Sequence, residues 1–345
     1  MPTIAIVGVN SKSMADNPQA THIRSRGWMI LKWTLCVLVL YAVVQRARSL
    51  WDHDQLRDLE LHAGWLVLAA TVYLLGWLPS IWFWGVLLRA SGQRVAWTDI
   101  GRAYYCGHLG KYIPGKAMVL VIRAALLRGR GATATVAALT ATCETLVMMG
   151  VGLAIGLILI PQLLTAQNTA TAPSWLAALA DFGTLISVLV VAGMVCLLPC
   201  AARWVVRLAD TVRNNPDAET TPVISTRMLA AGLPAFALSW MLHGLSLQLT
   251  IRGVSADTLP PVDWLTCTAA VSLATSVGFA ALFAPGGIGI REGLLIELLS
   301  GQPGVGGHIA VAAAVCLRLV WLMSELVTGS LLYLTGIRNR PTLPS

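Results

Sequence analysis

The chain has 345 residues, of which 56% are hydrophobic and only 12% charged. Soluble domains carry about 25% charged residues, so this composition excludes a soluble fold and indicates an all-α polytopic transmembrane bundle. The net charge of +8 is accounted for by basic cytoplasmic loops facing anionic headgroups, and with no basic patch interleaved with aromatics, no nucleic acid partner is expected.

Residues 1–27 are polar and read as a disordered cytoplasmic tail. The short apolar run at residues 4–9 is followed neither by a signal-peptide cleavage site nor by the G-x-G-x-x-G of a dinucleotide-binding strand. Apolar segments long enough to cross a hydrocarbon core, about twenty residues each, follow at 28–44, 62–88, 135–160, 182–199, 227–251, 264–283 and 307–336. Trp28, Trp51, Trp65, Trp97, Trp175, Trp204, Trp264 and Tyr333 lie near segment ends, as interfacial belts do. One membrane domain over 28–336 is expected, with short cytoplasmic tails at 1–27 and 337–345.

Loop charges orient the segments. Residues 89–131 carry eight Lys/Arg, residues 200–227 carry four and residues 161–181 none, which places the first two loops inside and the third outside. The mixed loop 45–61 then falls outside, against its three arginines. With every segment crossing, the tail bearing Arg338 and Arg340 would also end outside. That conflict disappears if residues 264–300 form a re-entrant hairpin turning at Pro285-Gly286-Gly287. A second hairpin over residues 101–130 would enter from the other face. The expectation is six full spans and two half-depth broken-helix hairpins, the inverted design of transporters with sites near the midplane.

Both hairpins turn at glycine- and proline-rich breaks: Gly110, Pro114 and Gly115 in the first, Pro285, Gly286, Gly287 and Gly289 in the second. Broken backbone carrying charge is tolerated at membrane depth only when buried in protein or lining a cavity. The stretches Gly-His-Leu-Gly-Lys-Tyr-Ile-Pro-Gly-Lys (107–116) and Pro-Gly-Gly-Ile-Gly-Ile-Arg-Glu-Gly (285–293), with Arg123 and Glu144 between them, resemble the lysylphosphatidylglycerol synthase transmembrane-region family, also described as flippase-like integral membrane proteins. The resemblance spans roughly residues 28–336. Larger members fuse this region to a cytosolic aminoacyltransferase domain. With nine residues after Gly336, this chain is expected to lack it, so the resemblance implies lipid handling without synthetic activity. Some stand-alone members are linked to glycolipid or cell-envelope assembly.

Lys111 and Lys116 flank the first break, which can turn both ammonium groups into one phosphate-binding pocket with freed backbone N–H groups; the alternative is that both snorkel to cytoplasmic headgroups. Arg123, on the return of the hairpin, suits a bidentate phosphate clamp or a positive-inside anchor. Glu144 sits inside an apolar span and needs a partner: an ion pair to Arg123 or Lys111 on one reading, a headgroup-amine or proton site on the other. Glu292 complements the dipole of the helix it opens, whereas Arg291 has the unfavourable sign there and calls for a ligand or a carboxylate. Glu297 is a weaker candidate. Arg318 and Glu325, seven apart on the last span, share one face that should look into the bundle.

His108, His243 and His308 lack metal-ligand spacing and read as satisfied structural residues. Cys36, Cys106, Cys143, Cys196, Cys200, Cys267 and Cys316 form no C-x-x-C pair and read as apolar packing. The small residues from Gly150 to Gly156 read as close helix packing. No catalytic, metal or cofactor motif is present. The function expected is therefore a non-enzymatic inner-membrane protein that binds and translocates an anionic or lipid-linked phospholipid headgroup. The alternative is an accessory subunit of a separately encoded aminoacyltransferase or glycosyltransferase.

Overall fold

Three helices begin where a side chain takes up backbone N–H groups that the helix itself cannot satisfy. Thr133 accepts from Val136 N at 3.4 Å, Ser225 from Met228 N at 3.3 Å, and Asp263 from Leu265 N and Thr266 N at 2.9 and 3.1 Å. The computed structural model describes residues 59–112, 118–166, 174–213, 225–255, 260–281 and 287–338, and singly residues 34, 41, 44, 45 and 48. Residues 1–27 and 339–345, most of the expected span 28–44, and Pro114, Gly115, Lys116, Pro285 and Gly286 lie outside the described residues.

The described chain is helical, with no strand beyond two isolated bridges. In order it forms α1 (Ala63–Gly76), α2 (Leu78–Ala90), α3 (Trp97–His108), a 3-10 turn (Leu109–Tyr112), α4 (Met118–Leu127), α5 (Ala134–Ile158), α6 (Ile160–Ala166), α7 (Ser174–Arg213), α8 (Thr226–Val254), α9 (Trp264–Ala280), α10 (Ile290–Ser300) and α11 (Gly306–Arg338). Five stretches are long and apolar enough to cross a membrane: Ala63–Ala90, Ala134–Ile158, Leu179–Ala201, Thr226–Val254 and Gly306–Thr335. They coincide with five of the six spans expected from hydropathy. The first of them is α1 and α2 together, kinked at Trp77, where Pro79 supplies no N–H to continue the ladder.

The remaining apolar helices are too short to cross. The 12 residues of α3 and the 10 of α4 reach about 18 and 15 Å at 1.5 Å per residue, against a core about 30 Å thick. The 17 residues of α9 reach about 26 Å and the 11 of α10 about 17 Å.

Hydrogen bonds fix which ends of the bundle they start from. The loop after α4 packs on the loop before α3, with Thr133 N donating to Gln93 Oε1 at 2.8 Å, so the first hairpin enters and leaves beside the end of α2. The second hairpin starts and finishes at the other end. There His62 N donates to Gly253 O at 3.0 Å, Gln302 Nε2 to Leu163 O at 3.2 Å, and Gly304 lies against Pro260. The hairpins thus enter from opposite ends, as the loop charges had implied.

Packing sets the centre and the rim. Along α9, Thr266–Ala274 is buried on every side, and its small residues Ala269, Ala270, Ser272 and Ala274 let neighbouring helices approach closely. The stretch Leu179–Ala201 of α7 has only 11% of its most apolar window buried. It is the peripheral helix, presenting Leu185, Val188, Leu189 and Leu197 outward.

Candidate functional site

The described parts of the two hairpins converge in the middle of the bundle on one cavity of about 150 Å³. The first hairpin contributes Tyr104, His108, Lys111, Val119 and Arg123, and the second Gly278, Phe279, Gly287 and Arg291. The full spans close it with Tyr73, Trp77, Glu144, Met148, Trp240, His243 and Trp321.

Short-range backbone chemistry shapes both tips. Gly110 sits so close to the start of α4 that a Cβ there would stand 2.7 Å from Val119 N, so only glycine permits this turn. Gly287 and Gly289 hold φ of +70° and +87°, a region that costs a side chain but not glycine. Glu292 reaches back to accept from Gly289 N at 2.8 Å and caps α10, which is the structural role its position indicates.

Two buried carboxylates organise the charges. Glu144, 1% exposed, accepts from Arg123 Nη1 and Tyr104 Oη, each at 2.8 Å, and from Thr145 Oγ1 at 3.3 Å. Of the two partners the sequence offered, Arg123 is the one it takes. Arg123 is itself 2% exposed, with its guanidinium 3.8 Å from the centroid of Tyr104. Glu325, also 1% exposed, accepts from Lys111 and Tyr73, and from Tyr112 Oη at 3.0 Å. Lys111 therefore does not snorkel: it is held at the cavity wall by Glu325.

Arg318 and Glu325 share the inward face of α11 but serve different hairpins. Glu325 holds the tip of the first, while Arg318 pairs with Glu292 of the second at 3.5 Å. Arg291 stands apart. It is 7% exposed, with its guanidinium 4.3 Å from the centroid of Trp321, and among the described residues it has no ion-pair partner. Among the described residues, no carboxylate pairs with it as the sequence reading allowed.

Aromatic rings complete the wall. His243 packs against Trp77 at 4.6 Å, Tyr73 and Trp321 at 5.4 Å each, and Trp240 at 5.7 Å, centroid to centroid. Neither of its ring nitrogens has a hydrogen-bond partner among the described residues. This corrects the reading of His243 as satisfied: it is a buried polar group facing the cavity. His108 lines the cavity as well, its Nδ1 lying 3.2 Å from Tyr104 O. Trp77, Trp240 and Trp321 were missed because they sit inside apolar runs; tryptophan placed mid-span rather than at an interface was the available signal. Glu297 and His308 do not line the cavity. Among the described residues no cluster of His, Cys, Asp or Glu could hold a metal.

No disulfide joins the described cysteines, and two glycines of the 150–156 region show what close packing means here: Gly152 meets the Trp240 indole and Gly156 the backbone of Leu273. The sequence matches the family described as the lysylphosphatidylglycerol synthase TM region over residues 27–329. The chain belongs to that family. No curated protein matches it. Membership in the family and five apolar spans make this an integral, multi-pass membrane protein. In this family member, His108 and Lys111 of the first motif that carries the family resemblance and Gly287 and Arg291 of the second line the cavity.

Proposed function

We propose that the protein binds an anionic phospholipid or lipid-linked headgroup between the two hairpins and translocates it across the cytoplasmic membrane, with no chemical step of its own. The observation that carries this reading is the meeting of two broken hairpins, entering from opposite ends, on one largely aromatic cavity that also holds Lys111, Arg123, Glu144 and Arg291. Interrupted backbone and charge at mid-depth are costly, and transporters place them where the substrate binds. The lining supports a headgroup site, because it joins cations to aromatic rings rather than forming a dry apolar core.

Basic residues at the α2–α3 and α4–α5 loops support a cytoplasmic side at that end of the bundle, together with the end of α11. Lipid identification by mass spectrometry on gently purified protein tests the binding half of the reading. A stoichiometric anionic lipid is expected, and protein retaining only bulk membrane lipid in bulk proportions would sink it. For translocation, proteoliposomes should scramble or flip a headgroup-labelled anionic lipid faster than protein-free vesicles.

A further inference from the structure

We infer that the last helix carries two gates, one on either side of the cavity, and that α10 is the arm that moves. The Arg318–Glu292 pair closes the end of the bundle bearing Pro303, and the Glu325 cluster closes the end bearing Arg94. The inference rests on the translocation reading above and assigns its moving parts.

Three residues of α11 set the arrangement. Arg318, Trp321 and Glu325 follow one another at helical spacing, so they share one stripe of the helix. Trp321 lines the cavity. At about 1.5 Å of rise per residue, Arg318 lies about 4.5 Å to one side of it and Glu325 about 6 Å to the other. The helix starts at Gly306, soon after the second hairpin ends at Ser300, so Arg318 is on that hairpin's side. Further along, Gly329 O accepts from Cys106 of α3, which puts Glu325 on the side of the first hairpin. Each hairpin plugs the cavity from the end where it enters, and each is tied to α11 on its own side of Trp321.

The ties differ in strength. The first hairpin is held at both buried carboxylates: Glu325 accepts from its Lys111 and Tyr112, and Glu144 from its Tyr104 and Arg123. Glu144 belongs to α5, so this hairpin is anchored to two full spans. The return arm of the second hairpin, α10, is tied to α11 by Glu292 and Arg318 at 3.5 Å, longer than a charge-assisted hydrogen bond. Those side chains are 17% and 16% exposed, and charges closer to solvent attract each other less than buried ones. Glu292 is also engaged as the cap on Gly289 N. Much of the remaining grip is apolar, through the buried Leu295, Leu298 and Leu299, contacts without direction that survive a small slide between packed helices. Glycines of positive φ bound the arm, Gly287 and Gly289 before it and Gly304 and Gly306 after it, and supply the hinges.

Thr275 of α9 lines the cavity and belongs to neither gate. With the native cysteines replaced, Thr275→Cys in the full-length protein reports access to a small membrane-impermeant methanethiosulfonate added to one side of oriented vesicles. Arg94→Cys and Pro303→Cys define the two sides. The parent is expected to react faster from the side that labels Pro303→Cys. Arg318→Gln should raise that rate at least ten-fold and leave the other unchanged, whereas Glu325→Gln should raise the rate from the side that labels Arg94→Cys. Both variants acting on one side, or neither acting, would overturn the gates. Arg318→Lys should stay near the parent rate, and a rate as high as in Arg318→Gln would overturn the ion pair as the closing element. Hydrogen exchange on the wild type keeps the inference testable if a variant does not fold. Amides of Ile290–Ser300 should exchange at least ten-fold faster than those of Met118–Leu127, and equal or reversed rates would overturn the mobility of α10, as would a parent reacting faster from the opposite side. Side-specific gating in protein that flips no lipid would leave this inference standing and remove the translocation reading. Flipping by protein whose access is not side-specific would do the reverse.

Discussion

Arg123 runs so close to Gly107 that a Cβ at position 107 would lie 2.5 Å from its Cγ. The glycine is the space through which the arginine reaches Glu144. Gly107→Ala should therefore cost about 1–3 kcal/mol, the usual range for forcing a methyl into a packed interior. Thermal unfolding in detergent checks this. In an Arg123→Gln background the same change should cost clearly less, and an unchanged penalty would show that the two side chains do not compete for room.

Arg123 and Glu144 themselves should behave as a unit. Removing either leaves the other charged and buried, at about 3–5 kcal/mol each. Losing both removes the stranded charge, so the double variant Arg123→Gln/Glu144→Gln should be more stable than the sum of the single losses predicts. A double-mutant cycle additive within about 0.5 kcal/mol would mean the pair is not coupled.

Glu325→Gln should loosen the first hairpin specifically, because Glu325 is the acceptor for Lys111, Tyr73 and Tyr112. A local reporter exists in Cys106, buried on α3 with its Sγ 3.4 Å from Gly329 O of the last helix. With the other cysteines replaced, alkylation of Cys106 by a membrane-permeant maleimide should be several-fold faster in Glu325→Gln than in the parent. Equal rates would show that the hairpin is held by packing alone.

The opposite entry of the hairpins gives a topological prediction. Single cysteines replacing Arg94 and Pro303, both exposed, should be labelled from opposite sides of the membrane, position 94 from the cytoplasm. Labelling of both from one side would contradict the arrangement.

Much of this architecture is readable from the chain, and the limits of that reading are physical. Hydropathy over 62–88 or 307–336 reports transfer into lipid and needs no partner, so the spans follow. Gly110, Gly287 and Gly289 report backbone restrictions that are local, so the breaks follow too. The pairing of Lys111 with Glu325 is different, since it joins residues 214 positions apart and nothing near either one indicates the other. The same holds for the rings about His243, which come from three helices and the junction at Trp77 and look like ordinary apolar filling until the bundle closes. Arg291 was legible as a cation in an unfavourable place, but its isolation emerged only when Glu144, Glu292 and Glu325 proved to be taken.

That long-range pair also orders the making of the protein. Arg123 and Glu144 are 21 positions apart and can meet while the chain is still being translated. Lys111 must wait 214 residues for Glu325, roughly 10–40 s at ribosomal rates of about 5–20 residues per second. Through that interval the first hairpin carries an ammonium group without its carboxylate, and Tyr73 and Tyr112 lack the same acceptor. Insertion of α11 ends the exposure for both hairpins at once, since it brings Arg318 to Glu292 as well. A nascent chain cut short before α11 keeps the defect permanently, with Lys111, Tyr73 and Tyr112 lacking Glu325 and Glu292 lacking Arg318.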